Sequence, residues 1–195
     1  MKFFVGCVFL LSGCATLFGW NIHAPGILSD KFYEDIHTVP ARMALYIPPH
    51  LTQFTSQDRG GTLADPQTYY IGESFAPMLL ESFQQGFSEF VFMEVDPSAD
   101  VLKQYDIPNI VVVDIREFHN KVTLKGQAES VVTEVWIMNN DLQVVRHLEV
   151  IETSDAQKVF AKKGGPEVNM NAAIEQNVRL TVAYLQDFLK EGQAL

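Results

Sequence analysis

The sequence contains very little cysteine. Only Cys7 and Cys14 occur among its 195 residues, and both lie within the first fourteen. Because no later cysteine can pair with them or act in the folded body, this excludes a disulfide scaffold, a cysteine-rich zinc site and a cysteine nucleophile there.

Positive charge is also scarce. Lys and Arg number 14 against 24 Asp and Glu, which gives a formal net charge of -10. Nucleic acids are bound through clustered Lys and Arg side chains, so this balance predicts no nucleic-acid partner. With 47% hydrophobic and 19% charged residues, the chain lacks the low hydrophobicity and high charge of a disordered protein, and its length suits one domain.

No apolar run near the N-terminus is long enough to span a bilayer. Residues 3–11 form an apolar stretch of nine residues after Lys2, whereas a transmembrane helix needs about 20. One basic residue, a short apolar run and then small residues are typical of a secretory signal. The segment Leu11-Ser12-Gly13-Cys14 closely resembles the lipobox of bacterial lipoproteins.

That resemblance implies a defined processing. In the family, the cysteine thiol receives a diacylglyceryl group, the chain is cut just before it, and the new amine receives an acyl chain such as palmitate. Residues 1–13 are then a signal peptide that is removed, and Cys14 is the lipidated first residue, with no other cofactor. In enterobacterial members an Asp after the cysteine retains the protein in the inner membrane. Ala15 therefore implies the periplasmic face of the outer membrane in a Gram-negative host.

Two alternatives stay open for this terminus: an ordinary signal peptide, or a buried first strand in which Cys14 is incidental. If the leader is removed, Lys2 is lost, which leaves 13 basic against 24 acidic residues and a net charge of -11. So acidic a body does not adhere to anionic lipid by itself, and the acyl chains must supply the membrane attachment.

The rest of the chain divides at about residue 40. We expect residues 14–40 to form the lipidated terminus and a tether, and residues 41–195 to form a single periplasmic α+β domain. The tether holds several large apolar residues, so part of it packs on the domain or on a partner. Residues 50–70 are polar and contain Gly60-Gly61, which predicts a long loop.

Hydrophobic periodicity predicts the order β-α-β-(short α)-β-β-β-α. The expected strands are 42–47, 91–95, 109–118, 131–138 and 142–151, the last two joined by a hairpin turn at Asn139-Asn140-Asp141. The expected helices are 72–90, 99–105 and a final helix from a cap at Asn169 or Asn171 to Lys190. Pro77 should fall in the first turn of the first long helix. A stripe of phenylalanines at helical spacing indicates the core face of that helix: Phe75, Phe83, Phe87 and Phe90.

This order predicts a two-layer α+β fold, with a mostly antiparallel sheet of about five strands and two main helices packed on it. In outline it resembles small outer-membrane lipoproteins that serve envelope machines. Examples are the lipopolysaccharide-assembly lipoprotein and the auxiliary lipoproteins of lipid-transport ABC systems.

Motifs for catalysis and cofactor binding are absent from the sequence. It has no G-x-G-x-x-G, no phosphate-binding G-x-x-x-x-G-K-[ST], no H-x-H or H-E-x-x-H, and no G-x-S-x-G. His119 and His147 could still converge across strands, and Asp114 with Glu117 could form a carboxylate pair. Exposed strand residues explain both sets more simply, and helix capping explains Ser74. We therefore predict no enzymatic activity, no catalytic residue and no metal site.

Two sets of residues are candidates for partner or ligand contact. The loop that carries Lys158, Lys162 and Lys163 is either a solvated loop or a basic patch that meets a phosphate or a partner's carboxylates. Aromatic residues around the first strand and the long loop could line a groove for acyl chains or a partner segment, although a core role is the simpler interpretation. These are Tyr46, Phe54, Tyr69 and Tyr70.

Three functions follow from these features. The first is a membrane-anchored, non-catalytic accessory subunit of a cell-envelope assembly or transport complex. The second is a carrier or chaperone for a lipid or lipopolysaccharide, and the third, least supported, is an envelope hydrolase.

Overall fold

The computed structural model describes residues 19–58, 66–123, 126–154 and 165–193. Within them the elements follow in the order β1 (Trp20–Ile22), α1 (Asp30–Asp35), β2 (Val39–Tyr46), α2 (Pro49–Thr52), β3 (Ser56–Asp58), β4 (Gln67–Tyr69), α3 (Ile71–Gly86), β5 (Phe87–Met93), α4 (Ala99–Gln104), β6 (Asn109–Thr123), β7 (Gly126–Asn139), β8 (Val144–Thr153) and α5 (Pro166–Gln193).

A five-stranded sheet in the order β5-β2-β6-β7-β8 forms the main layer. β2 pairs in parallel with both β5 and β6, while β6, β7 and β8 form an antiparallel meander. The α+β class is confirmed, but two of the four pairings are parallel, in place of the mostly antiparallel sheet expected from the sequence. The reason is that the β2–β5 connection, which ends in α3, and the β5–β6 connection, which contains α4, each return the chain to the same end of the sheet, so that these strands run parallel.

A second, smaller sheet forms in residues expected to be tether and loop. Its order is β1-β4-β3, with β1 parallel and β3 antiparallel to β4. Each strand has three residues, too few to show alternation in the sequence. The chain that follows β1 packs on the domain, because Ile22, Leu28, Phe32 and Ile36 are all buried in the main core.

Helix α3 ends at Gly86 rather than at residue 90, so the predicted helix is too long. Phe87 already has an extended backbone, and β5 begins there without a loop. Phe83 and Phe87 are buried, which confirms the core stripe. The end of α3 and the start of β5 face the same core. Their apolar residues therefore keep a helical spacing in the sequence beyond the point where the helix ends. A Cβ at Gly86 would lie 2.6 Å from Val182 Cγ1, so glycine lets α3 approach α5 closely.

Two helix details also differ from the prediction. α5 begins at Pro166, where the missing N–H is harmless, and both Asn169 and Asn171 lie inside the helix instead of capping it. Pro77 is an interior residue of α3 rather than part of its first turn. An interior proline costs about 3 kcal/mol, which the burial of neighbours such as Phe75 and Leu79 offsets.

The β7–β8 hairpin has the predicted turn. Asn139 Oδ1 accepts hydrogen bonds from the backbone N–H groups of Asp141, at 3.0 Å, and Gln143, at 2.9 Å. Leu142 has a positive φ of 61°, so it belongs to the turn and not, as predicted, to the strand. β8 therefore starts at Val144.

Apolar side chains cover both faces of the main sheet. One face carries α3 and α5 and holds most of the buried hydrophobic residues. A smaller cluster lies on the opposite face beneath α4: Ala44, Tyr46, Met93, Leu102, Ile107 and Ile110. The short helix thus adds a partial third layer, over the parallel half of the sheet.

Candidate functional site

A groove lies between β5, at the edge of the main sheet, and α4. Its volume is about 260 Å³. Val95 and Tyr105 are 71% and 59% exposed, so large apolar surface is left open here that the core does not use. The lining is almost wholly apolar and consists of Arg42, Val91, Phe92, Met93, Val95, Val101, Tyr105 and Ile107.

The pattern of α4 explains why its wall of the groove is apolar. Leu102 is fully buried in the smaller core cluster and holds the helix on the sheet. Val101 and Tyr105 are four residues apart, so they share one side of the helical turn, and both stay exposed. Asp106, with a φ of 55°, then turns the chain so that Ile107 is buried at the base.

Arg42 joins the two walls of the groove. Its Nη1 donates to the backbone oxygen of Tyr105 at 2.9 Å, and its Nε lies 3.0 Å from Glu89 Oε2 on β5. The guanidinium therefore links β2, β5 and the end of α4, and its charge is balanced by Glu89.

The residues beside the groove lining are mostly acidic. Lys103 is the basic neighbour on α4, and its Nζ lies 2.5 Å from Asp141 Oδ1. Tyr46 Oη donates to Asp96, and this hydrogen bond raises the pKa of Tyr46. The rim is therefore negative around an apolar floor. Its exposed carboxylates are Glu94, Asp96, Asp100 and Asp106.

Of the four aromatic residues predicted to line a groove, Tyr46 lies apart from the other three. Tyr46 lies in the cluster beneath α4, whereas Tyr69 is fully buried in the main core on the other face of the sheet. Phe54 packs against that main core. Tyr70 stacks on His23, with ring centroids 4.3 Å apart. The groove between β5 and α4 uses other residues, since Val95, Val101 and Tyr105 show no signal in the sequence beyond ordinary hydrophobicity.

Four predicted contact or modification residues lie outside the described part of the chain. They are Cys14, Lys158, Lys162 and Lys163.

The carboxylates and histidines considered for catalysis lie on β6 and β8, and each has a local partner. Asp114 Oδ1 lies 2.9 Å from His50 Nε2, and Glu117 Oε2 lies 2.8 Å from His119 Nε2. His119 is opposite Ser130, while His147 is opposite Trp136 and stacks on it. These histidines therefore do not converge.

Glu129 is a buried carboxyl group that the sequence analysis missed. It is fully buried on β7, and burial raises its pKa to about 9. Gln127 Nε2 donates to Glu129 Oε1 at 2.8 Å and to Tyr69 Oη at 3.2 Å, and burial raises the pKa of Tyr69 as well. Perturbed carboxyls often mark active sites, but this one is sealed from solvent and cannot reach a substrate in this conformation.

The described residues contain neither a metal-binding cluster nor a membrane-spanning helix. No group of three or more His, Cys, Asp or Glu side chains there is placed to hold a metal ion. No helix in the same residues is both long and apolar enough to cross a membrane.

No protein-family model and no curated protein matches the chain. Solved structures do resemble it. The hypothetical protein CT253 from Chlamydia trachomatis has a TM-score of 0.46 at 11% identity, with 74% of this chain and 96% of that chain covered. A PelC dodecamer from Paraburkholderia phytofirmans has a TM-score of 0.41 at 10% identity, covering 74% and 90%.

A lipoprotein, GNA1162 from Neisseria meningitidis, also resembles the chain, with a TM-score of 0.34 at 7% identity and coverage of 77% and 99%. With TM-scores below 0.5, these likenesses assign neither a family nor a function.

Proposed function

We propose that the chain is a lipid-anchored, non-catalytic envelope protein that acts as an accessory subunit of an assembly or transport complex. The observation that carries the proposal is the position of the lipobox-like cysteine. Cys14 lies five residues before Gly19, and β1 begins at Trp20. Five residues span at most about 18 Å, so an anchor on Cys14 holds the folded domain close to the bilayer surface.

Charge supports this mode of attachment. With a formal net charge of -11 once residues 1–13 and their Lys2 are removed, the protein is repelled by anionic headgroups, so it needs a covalent anchor to stay at the membrane. A thioether-linked diacylglycerol and an N-acyl chain together give stable binding, whereas one chain is marginal. Ala15 in place of Asp favours the outer membrane as the destination.

The site geometry supports a binding role over a catalytic one. The open groove is lined by apolar side chains, and its arginine is already paired with Glu89. The carboxylate with the strongly raised pKa, Glu129, is enclosed. An apolar, shape-forming surface without a poised acid, base or nucleophile suits a protein partner.

Replacement of Cys14 tests the anchor, and Cys7 offers a matched control. In cells fed a radiolabelled or clickable palmitate analogue, we expect the Cys14→Ser protein to lose the label and leave the membrane fraction. The Cys7→Ser protein should keep both, because Cys7 lies in the leader. Continued membrane association and labelling of the Cys14→Ser protein would overturn the anchor.

A lipid carrier is the second candidate, favoured by the apolar lining of the β5–α4 groove. The groove volume of about 260 Å³ is near the lower end of the range of roughly 300–1,000 Å³ typical of ligand pockets. Native mass spectrometry of the detergent-extracted protein decides between them. Non-covalently bound lipid would support the carrier, and a spectrum with only the covalent lipid would count against it.

A further inference from the structure

The main sheet has two edge strands, and they differ in how they are protected. β8 carries charged side chains along its length, and its pairing with β7 has a register shift between Ile137 and Met138. Charges and irregular pairing at an edge discourage another strand from adding there. The charged and titratable residues of β8 are Arg146, His147, Glu149 and Glu152.

β5 has fewer of these protections. Its sequence, Phe-Ser-Glu-Phe-Val-Phe-Met, contains no Lys, Arg or Pro, and Glu89 is neutralised by Arg42. Its pairing with β2 has one register shift, between Val39 and Arg42, and is regular from Glu89 to Met93. This apolar, regularly paired part of the edge strand is a template for another strand, because one row of its backbone N–H and C=O groups faces away from the sheet.

The groove supplies what such an incoming strand would need beyond backbone hydrogen bonds. Side chains on an added strand alternate between the two faces of the sheet. Those on the α4 side would meet Val95, Val101 and Tyr105, which are exposed at the groove. The acidic rim adds a charge preference, since Glu94 and Asp100 would attract basic residues that flank the apolar ones.

We propose that the β5 edge binds an extended segment of a partner protein, which adds to the sheet as a sixth strand and places an apolar side chain in the β5–α4 groove. The segment carries alternating apolar residues and flanking Lys or Arg. This rests on the proposed role as an accessory subunit, and it names the surface and the chemistry of the partner. A second copy of the chain fits less well, because two acidic rims would face each other and each cleaved chain carries a net charge of -11.

Hydrogen exchange on the full-length protein tests the proposal with a defined probe. The probe is the peptide Lys-Lys-Val-Thr-Val-Thr-Val-Lys-Lys, and its controls have Glu in place of every Lys or Pro in place of the central Val. With the first peptide we expect slower amide exchange between Glu89 and Met93 and none of this protection on β8. The Glu-flanked peptide should bind more weakly, and the Pro peptide should not protect β5, because proline removes a ladder donor.

Two exposed valines provide matched variants. Val95→Asn, in the groove, should lower the affinity for the first peptide by about tenfold, since it places a polar side chain where an apolar side chain docks and leaves the rim charge unchanged. Val144→Asn, at the start of β8, should leave the affinity unchanged. Both positions are more than half exposed, so neither substitution disturbs the core.

Several outcomes would overturn the proposal. They are equal affinities for the two variants, protection of β8 instead of β5, no protection of β5 at about 1 mM peptide, or protection of β5 through self-association without peptide. Repeating the assay on the Cys14→Ser protein tests strand addition independently of the lipid anchor. Either proposal can then be contradicted while the other is supported.

Discussion

Thr133 on β7 and Asn177 on α5 are joined by a buried hydrogen bond, in which Thr133 Oγ1 donates to Asn177 Oδ1 at 3.0 Å. Asn177 Nδ2 donates in turn to the backbone oxygens of Val131 and Val150, each at 3.1 Å. One fully buried side chain therefore connects the helix to two strands, and both of its polar atoms have hydrogen-bond partners in the sheet.

Replacement of Asn177 by Ala should destabilise the fold strongly. The change leaves the Thr133 hydroxyl and two backbone oxygens without this partner inside the core, at about 1–3 kcal/mol for an unsatisfied group. Urea denaturation should show a lower midpoint. Asn171→Ala is the control on the same helix, because Asn171 bonds to the exposed loop at Gly26 and Ile27 and water can replace it. A larger loss for Asn171→Ala would contradict the structure.

Glu129 predicts a pH dependence of stability. Burial raises its pKa from the ordinary value of 4.5 to about 9 in the folded protein, so the folded state keeps a proton that the unfolded chain releases. The contribution of Glu129 to stability is thus full below pH 4.5 and falls as pH rises toward 9, by up to about 1.4 kcal/mol per pH unit.

Glu129→Gln removes that titration while keeping an acceptor for Gln127. We expect the variant to gain stability over the wild type as pH rises from 5 to 9, with the two closest at the acid end. Denaturation curves at four pH values measure this directly. A difference independent of pH would show that Glu129 does not carry the buried proton.

Gly72 should not tolerate even one methyl group. A Cβ there would lie 2.0 Å from the backbone oxygen of Leu51 and 2.8 Å from the backbone nitrogen of Phe54. These are main-chain atoms of the α2 region and cannot rotate away, so Gly72→Ala should cost about 1–3 kcal/mol or more. At Gly165 the near atom is the flexible Glu167 carboxylate, and Gly165→Ala should melt much closer to the wild-type temperature.

Truncation of Phe83 should reduce the stability of the fold more than truncation of Phe92. It is fully buried and lies 5.4 Å from the Phe87 ring and 5.9 Å from the Phe90 ring, centroid to centroid. Phe83→Ala should lower the free energy of unfolding by about 3–5 kcal/mol. Phe92→Ala, at a side chain that is 40% exposed, should cost clearly less in thermal denaturation, and equal losses would argue against this core.

The sequence predicts the long elements because their signals are local and repeated. The antiparallel meander β6–β8 and the helix α5 each present many turns or alternations, and the Asn139 turn carries its own hydrogen-bonding chemistry. The three-residue strands of the small sheet give no period at all. The helix end at Gly86 is missed because Phe87 and Phe90 stay in phase with the helix that precedes them.

The candidate site is less predictable than the fold, for a different reason. The groove depends on β5 lying at an edge with α4 beside it, and that follows from parallel pairing between segments distant in sequence. Val101 and Tyr105 alone look like ordinary helix residues. The burial of Glu129 is equally non-local. The lipobox resemblance, in contrast, is readable from four consecutive residues.

The attachment of the N-terminal segment has a mechanical consequence. Trp20 N–H donates to the Pro66 oxygen at 2.9 Å, and farther along the chain Ser29 donates through both its N–H and its hydroxyl to Glu175 on α5. Tension applied upstream of Gly19 would therefore be borne first by the small sheet and then by α5. The same segment is tied to α3, where Ser74 Oγ donates to the Ala24 oxygen at 2.8 Å, so this tension also reaches the helix that leads directly into β5.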